Sequence, residues 1–172
     1  MKLLILDAGH CLSLALARES NRRSDVELVI EPGLELSLER LDEVVPDALI
    51  IPPLSHPINA DPASVTAHAE AVEACMRACR ERDVPLVWCV SDQLYEEGLE
   101  GPIDEHVIPE PRDDGLRRLV RTGDRIRAEL PRHLIVRLGP LFALEGSHAW
   151  LGELLDSLME GDELRAASDV IF

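Results

Sequence analysis

The sequence predicts a single α/β domain, a doubly wound and mostly parallel sheet with helices on both faces. Three observations predict it. Short apolar runs alternate along the chain with stretches of helical periodicity. One of those runs, LVWCVS at 86–91, is apolar almost throughout, as a strand covered on both faces is. No internal repeat, low-complexity segment or linker interrupts the 172 residues, a length that suits one domain with a sizeable core.

The elements follow in order. Residues 2–7 read as a buried strand and 11–19 as a helix, joined by the turn Asp7-Ala8-Gly9-His10-Cys11. Val26 to Ile30 is a second strand, closed by Pro32-Gly33. Residues 37–45, SLERLDEVV, place Leu38, Leu41, Val44 and Val45 at helical spacing. Pro46-Asp47 leads into a strand from Ala48 to Ile51, which Pro52-Pro53 stops.

After the loop LSHPINADP, Asp61 is placed to cap a helix with Pro62 at its first position. That helix, 62–82, is the longest, with Val65, Ala69, Val72, Cys75, Met76 and Cys79 near one face. Pro85 introduces the strand LVWCVS. Residues 92–113 hold turn formers and acids with little periodicity and read as a long excursion. Asp113 or Asp114 caps the helix 115–130, and Pro131 ends it. His133 to Leu138 is a strand, 147–159 a helix opened by Ser147, and Leu164 to Phe172 a final strand.

Composition narrows the function classes. Hydrophobic residues are 46% and charged residues 29%, the balance of a globular chain. The net charge of −16 repels phosphate backbones and disfavours nucleic-acid binding. No apolar run reaches the roughly 18 residues a membrane helix needs. Lys2 is the only early cation and Asp7 interrupts the first apolar run, so no secretory signal is expected and the cytoplasm is the expected location. Cys11, Cys75, Cys79 and Cys89 are expected to be buried thiols. Cys75 and Cys79 lie one helical turn apart, but no nearby residues complete a four-ligand metal set.

Three stretches carry a family resemblance. They are MKLLILDAGHCLSLALA; PDALIIPP followed by AVEACMRACRERDVPLVWCVSDQLYEEG; and PRHLIVRLGPLF followed by DELRAASDVIF. In this order and spacing the chain resembles the extended short-chain dehydrogenase/reductase group, in its dTDP-4-dehydrorhamnose reductase and sugar-nucleotide branch. The resemblance implies a Rossmann-like, NAD(P)-binding domain. It also implies a smaller C-terminal substrate portion, which this chain is expected to lack.

The residues at the family's chemical positions differ. The resemblance implies a G-x-x-G-x-x-G loop after the first strand, where backbone N–H groups approach a pyrophosphate at a helix N-terminus. The matching residues are Asp7, His10 and Ser13, and Gly9 is out of register. Side chains at 10 and 13 are expected to fill cofactor space, and Asp7 to repel phosphate. Two unit charges about 4 Å apart repel by roughly 4 kcal/mol at an effective dielectric of 20. Pro52-Pro53 stand where small residues are implied along the cofactor's path. The expectation is that no NAD(P) is bound.

The resemblance further implies a Ser or Thr after the fourth strand, matched by Ser91, and a Tyr with a Lys four residues later on the next helix. Leu116 and Val120 align with that pair, and Tyr95 is the only tyrosine in the chain. His68 stands where an Asn is often found. The leading expectation is a non-catalytic reductase-like module acting through a protein partner or as a homo-oligomer, by way of helices 62–82 and 115–130. An apolar strip on those helices is expected to need a partner. The alternatives are a binder of a nucleotide or sugar nucleotide without turnover, and an NAD(P)H-dependent reductase with an unusual site.

Ligand or partner candidates are Ser91 and Asp92 with the basic cluster Arg117, Arg118, Arg121 and Arg125, to which Arg127 adds. Pairing with Asp113, Asp114, Asp124 and Glu129 is the competing account of that cluster. Ser91, Asp92 and His68 or His56 lack the G-x-S-x-G elbow of a hydrolase. Tyr95, Trp88 and Trp150 read as packing residues.

Overall fold

The computed structural model describes residues 1–54, 60–95, 104–139, 141, 143 and 150–161. In chain order the elements are β1 (Lys2–Ile5), α1 (Cys11–Ser20), β2 (Glu27–Ile30), α2 (Leu38–Val44), β3 (Ala48–Ile51) and α3 (Pro62–Arg82). Then come β4 (Leu86–Ser91), a 3-10 turn at Asp92–Leu94, α4 (Asp114–Glu129), β5 (His133–Leu138) and α5 (Trp150–Glu160). Three expected strands, Ala48–Ile51, Leu86–Ser91 and His133–Leu138, coincide with β3, β4 and β5. The expected final strand at 164–172, and Ser147 as a helix start, lie outside the described residues.

The five strands form one parallel sheet in the order β2-β1-β3-β4-β5. In register, Leu4 lies between Val29 on β2 and Leu49 on β3, and Trp88 lies between Ile51 on β3 and Ile135 on β5. The central strands bury Leu4, Leu49, Ile51, Leu86 and Trp88 against Val72 and Met76 of α3 and Ile126 of α4. Each such side chain contributes about 1.5–3 kcal/mol of burial, which is what holds helix to sheet.

The helices begin where their caps allow. Asp61 Oδ1 accepts from the backbone N–H groups of Ala63 and Ser64, at 3.0 Å each, with Pro62 needing no partner. Ser37 accepts from Arg40 N at 3.1 Å and so stands before α2 rather than in it. Asp113, not Asp114, caps α4 by accepting from Leu116 N at 2.9 Å. The excursion from 92 opens with the 3-10 turn and returns as irregular chain over 104–113; residues 96–103 lie outside the described residues.

The topology places a crevice. From β1 the chain crosses through α1 to β2 on one side, and from β3 it crosses through α3 to β4 on the other. The order therefore reverses between β1 and β3, and the opening beyond their C-terminal ends is where open parallel sheets receive ligands. Among the described residues, no helix is long and apolar enough to cross a membrane.

Candidate functional site

Residues 6–13 build one wall of this crevice. Leu6 N donates to Ile50 O at 3.1 Å, tying the end of β1 to β3. Asp7 follows with φ of 57°, a left-handed conformation that a glycine adopts without strain and an aspartate adopts at modest cost. It is held by Asp7 N donating to Gly33 O at 3.0 Å and by His10 N donating to Asp7 O at 3.0 Å. The tight turn that glycine normally permits is therefore made here by an aspartate.

His10 is the N-cap of α1. Its Nδ1 accepts from Leu12 N at 3.0 Å, and the ring is 1% exposed. Ser13 corrects the sequence expectation: its side chain does not fill the crevice. The hydroxyl turns inward and donates to Leu6 O at 3.0 Å, fully buried. The opposite wall is carried by Ile51, Pro52 and Pro53, all buried. From α3, His68 is buried beside His10, and its Nε2 has no hydrogen-bond partner. Burial first, and the neighbouring His10 second, lower its pKa to about 4, so His68 is neutral near pH 7. Sequence reasoning placed His68 as the replacement for an Asn and as a candidate triad histidine; the buried pair it makes with His10 joins residues 58 positions apart, which periodicity does not reveal.

Ser91 and Asp92 serve a local purpose. Ser91 Oγ accepts from Gln93 N at 3.2 Å and lies 3.3 Å from Asp92 Oδ1, to which it donates, capping the 3-10 turn. A triad with His68 is not assembled, since His68 Nε2 is unpartnered; His56 lies outside the described residues. Leu116 is buried in the core and Val120 packs against it, so the aligned pair is apolar packing. Tyr95 donates its hydroxyl to Val107 O at 3.3 Å and lies under the Arg137 guanidinium, 5.1 Å from ring centroid to Cζ. Trp88 is core, as expected, and the Trp150 side chain lies outside the described residues.

The arginine cluster is largely consumed by ion pairs. Arg118 meets Glu70 at 3.2 Å, Arg125 meets Glu73 and, at 3.1 Å, Glu129, and Arg80 meets Glu129 at 3.1 Å. Arg117 pairs with Asp114 and Arg127 with Asp124. Arg121 is exposed. Arg118–Glu70, Arg125–Glu73 and Arg80–Glu129 form a charged ladder between α3 and α4. The apolar strip expected on those two helices is absent: no large hydrophobic side chain is exposed on either. Their apolar residues, Leu116, Leu119 and Ile126 among them, are spent on the sheet.

The thiols behave as expected. All four cysteines are free and buried, and burial pushes Cys75 and Cys79 up to about 12 and Cys89 up to about 11. No metal-binding group of His, Cys, Asp or Glu occurs among the described residues.

No family model matches the chain, and no curated protein matches it. Solved structures do. A dTDP-4-dehydrorhamnose reductase from Clostridium acetobutylicum matches with a TM-score of 0.74 at 16% identity, over 94% of this chain and 60% of that one. One from Yersinia enterocolitica gives 0.69 at 18% identity, over 93% and 60%. A hypothetical dTDP-4-dehydrorhamnose reductase from Sulfolobus tokodaii gives 0.65 at 26% identity, over 95% and 64%. The chain thus spans less than two thirds of the length of these neighbours. Its fold is the Rossmann-like one of short-chain-reductase-like sugar-nucleotide enzymes.

The same comparison corrects the expectation of no nicotinamide cofactor. A dTDP-4-dehydrorhamnose reductase from Bacillus anthracis was solved in complex with NADP, at 0.68 and 15% identity over 82% of this chain and 54% of that one. The Bordetella bronchiseptica enzyme WbmH was solved with NAD+, and a GDP-D-glycero-L-gluco-heptose synthase from Campylobacter jejuni in the presence of NADPH. This is a fold in which nucleotide cofactors are held. The steric premise at residue 13 also weakens, because the Ser13 hydroxyl turns inward to Leu6 O, and the tight turn is made by Asp7.

Proposed function

We propose that this chain is a nucleotide-binding module that takes a nicotinamide or sugar nucleotide at the crevice between β1 and β3, without the tyrosine-dependent proton transfer of short-chain reductases. One observation carries the reading: a tight turn leads into the α1 N-terminus at the switch point between β1 and β3, while the α4 positions aligned with the acid–base pair are the packed residues Leu116 and Val120.

The residues fit a phosphate-bearing group. The α1 N-terminus brings the partial positive charge of ten helical residues to the crevice. The inward Ser13 leaves the backbone open to close approach, and the unpartnered His68 Nε2 is a buried polar atom in want of a partner. Residues 7–13 would hold the phosphates, with Pro52 and Pro53 as a stiff apolar wall. A nicotinamide nucleotide supplies hydride chemistry when bound. The chain offers no phenol for the accompanying proton from α4, and Tyr95 Oη is already committed to Val107 O.

Fluorescence titration with NADH and NADPH tests this reading. Saturable micromolar binding is expected, with no oxidation of NADPH when dTDP-4-dehydrorhamnose is added. Enzyme-like turnover of that pair would overturn the non-catalytic part, and absence of binding the nucleotide part. Association through α3 and α4, with a second copy or another protein, belongs to the same proposal. Because the face is a charged ladder, such association is expected to weaken with salt, which light scattering at low and high ionic strength reads.

A further inference from the structure

We infer that His10 gates the phosphate turn: its imidazole seats itself at the α1 N-terminus, and a bound phosphate displaces it with uptake of a proton. The inference rests on the nucleotide-binding reading above and adds the regulation of that site.

The competition is read from one hydrogen bond. His10 Nδ1 accepts from Leu12 N at 3.0 Å, and a nitrogen that accepts carries no proton, so the ring is neutral in this seat. A phosphate oxygen arriving at the helix N-terminus needs the same amide. The amide is taken for as long as the buried imidazole keeps this seat. Once displaced, Nδ1 is released to take a proton. An imidazolium beside a phosphate then makes a charge-assisted hydrogen bond, about twice as strong as a neutral one.

The surroundings make the proton depend on the anion. His68, facing His10 from α3, is buried and neutral, and its position opposes a second positive charge nearby. Cys11, next on α1, has its Sγ 3.9 Å from Nδ1, and burial holds that thiol protonated. At the end of β2, the Glu31 carboxylate is engaged by Arg40 at 2.7 Å. The end of β3 presents Pro52 and Pro53, which carry no charge. Asp7, in the same turn, carries a carboxylate, whose charge favours an imidazolium. Binding and protonation therefore reinforce each other, and acidification from pH 8 to pH 6 tightens phosphate binding.

The test uses NADH, whose two bridging phosphates keep a constant charge over that range. Fluorescence titration of the intact chain is expected to give a dissociation constant about tenfold lower at pH 6 than at pH 8, the effect of one linked proton over part of its range. His10→Asn keeps a capping acceptor that does not titrate, and its affinity is expected to vary less than about twofold. His10→Gly removes the competing acceptor and is expected to bind more tightly than the natural chain at pH 8. A pH-independent natural chain, an unchanged slope in His10→Asn, or weaker binding by His10→Gly overturns the gate while leaving nucleotide binding in place. Absence of saturable NADH binding by all three folded proteins overturns both.

Discussion

The Ser13 hydroxyl donates to the carbonyl oxygen of Leu6 at 3.0 Å, closing the β1–α1 turn from inside. Both residues are fully buried, so the bond works away from water and leaves a deficit if it is broken. Ser13→Ala is expected to lower stability by about 1 kcal/mol, read as a shift of the urea midpoint without a change of slope. Its affinity for NADH should stay within about twofold of the natural chain, since the hydroxyl faces the core. A large loss of affinity with stability unchanged would place Ser13 in the crevice after all.

Two glycines of α4 should respond oppositely to alanine. A Cβ on Gly123 stands 3.4 Å from Trp88 Cζ3, 3.5 Å from Arg127 Nη1 and 3.7 Å from Ile135 Cδ1, which is ordinary contact. Gly123→Ala gains helix propensity and is expected to raise stability by about 0.5–1 kcal/mol. A Cβ on Gly115 stands 3.0 Å from Asp113 Oδ1, the oxygen that caps the helix, and 3.3 Å from Val65 Cγ1. Gly115→Ala must push the cap aside and is expected to lower stability by about 1 kcal/mol. Thermal melts of the two variants side by side decide it; two stabilised proteins would refute the account of the cap.

Val45 ends α2 with φ of 50° and ψ of 61°, and its side chain is 73% exposed. A β-branched residue is strained in this left-handed position, and here little burial offsets the strain. The conformation is kept because Val45 N donates to Leu41 O at 2.8 Å, closing the helix end. Val45→Gly keeps that bond and removes the strain, so denaturation should show a gain of about 1 kcal/mol. A loss of stability would mean that the Val45 side chain has packing partners its exposure does not show.

The parts of this fold that were legible in the sequence are those written in local chemistry. Asp61-Pro62, Pro131 and the run LVWCVS mark boundaries through backbone rules, and α3, β4 and the end of α4 obey them. The site was less legible because its geometry depends on distant partners. Ser13 looked like an obstruction at the third glycine position; its direction is set by Leu6, seven residues back, once Asp7 turns left-handed. The arginines of α4 looked like an anion site; their partners Glu70 and Glu73 lie on α3, some 50 positions away, and no helical period connects them. His10 and His68 meet only because β1 and β3 are neighbours in the sheet.

The pH dependence of stability follows from His68. Burial lowers its folded pKa from the usual 6.5 to about 4, so the unfolded chain takes up a proton that the folded chain refuses. The stability tied to this group is complete above about pH 6.5 and is lost as pH falls toward 4, below which the loss levels off. Each unit of that window is worth at most about 1.4 kcal/mol, or on the order of 2 kcal/mol between pH 6.5 and pH 5. The carboxylates with lowered values, Asp25, Asp61 and Asp114 among them, also lose stability as pH falls toward their unfolded range, so the His68 contribution is read as the difference from a variant that keeps them. Urea midpoints measured at pH 7 and pH 5 are expected to fall in the natural chain. His68→Asn, which cannot take the proton, should show a much smaller fall, whatever its stability at pH 7. Equal slopes in the two proteins would show that His68 is reached by water and protons in the folded state, and that the pair with His10 is not closed.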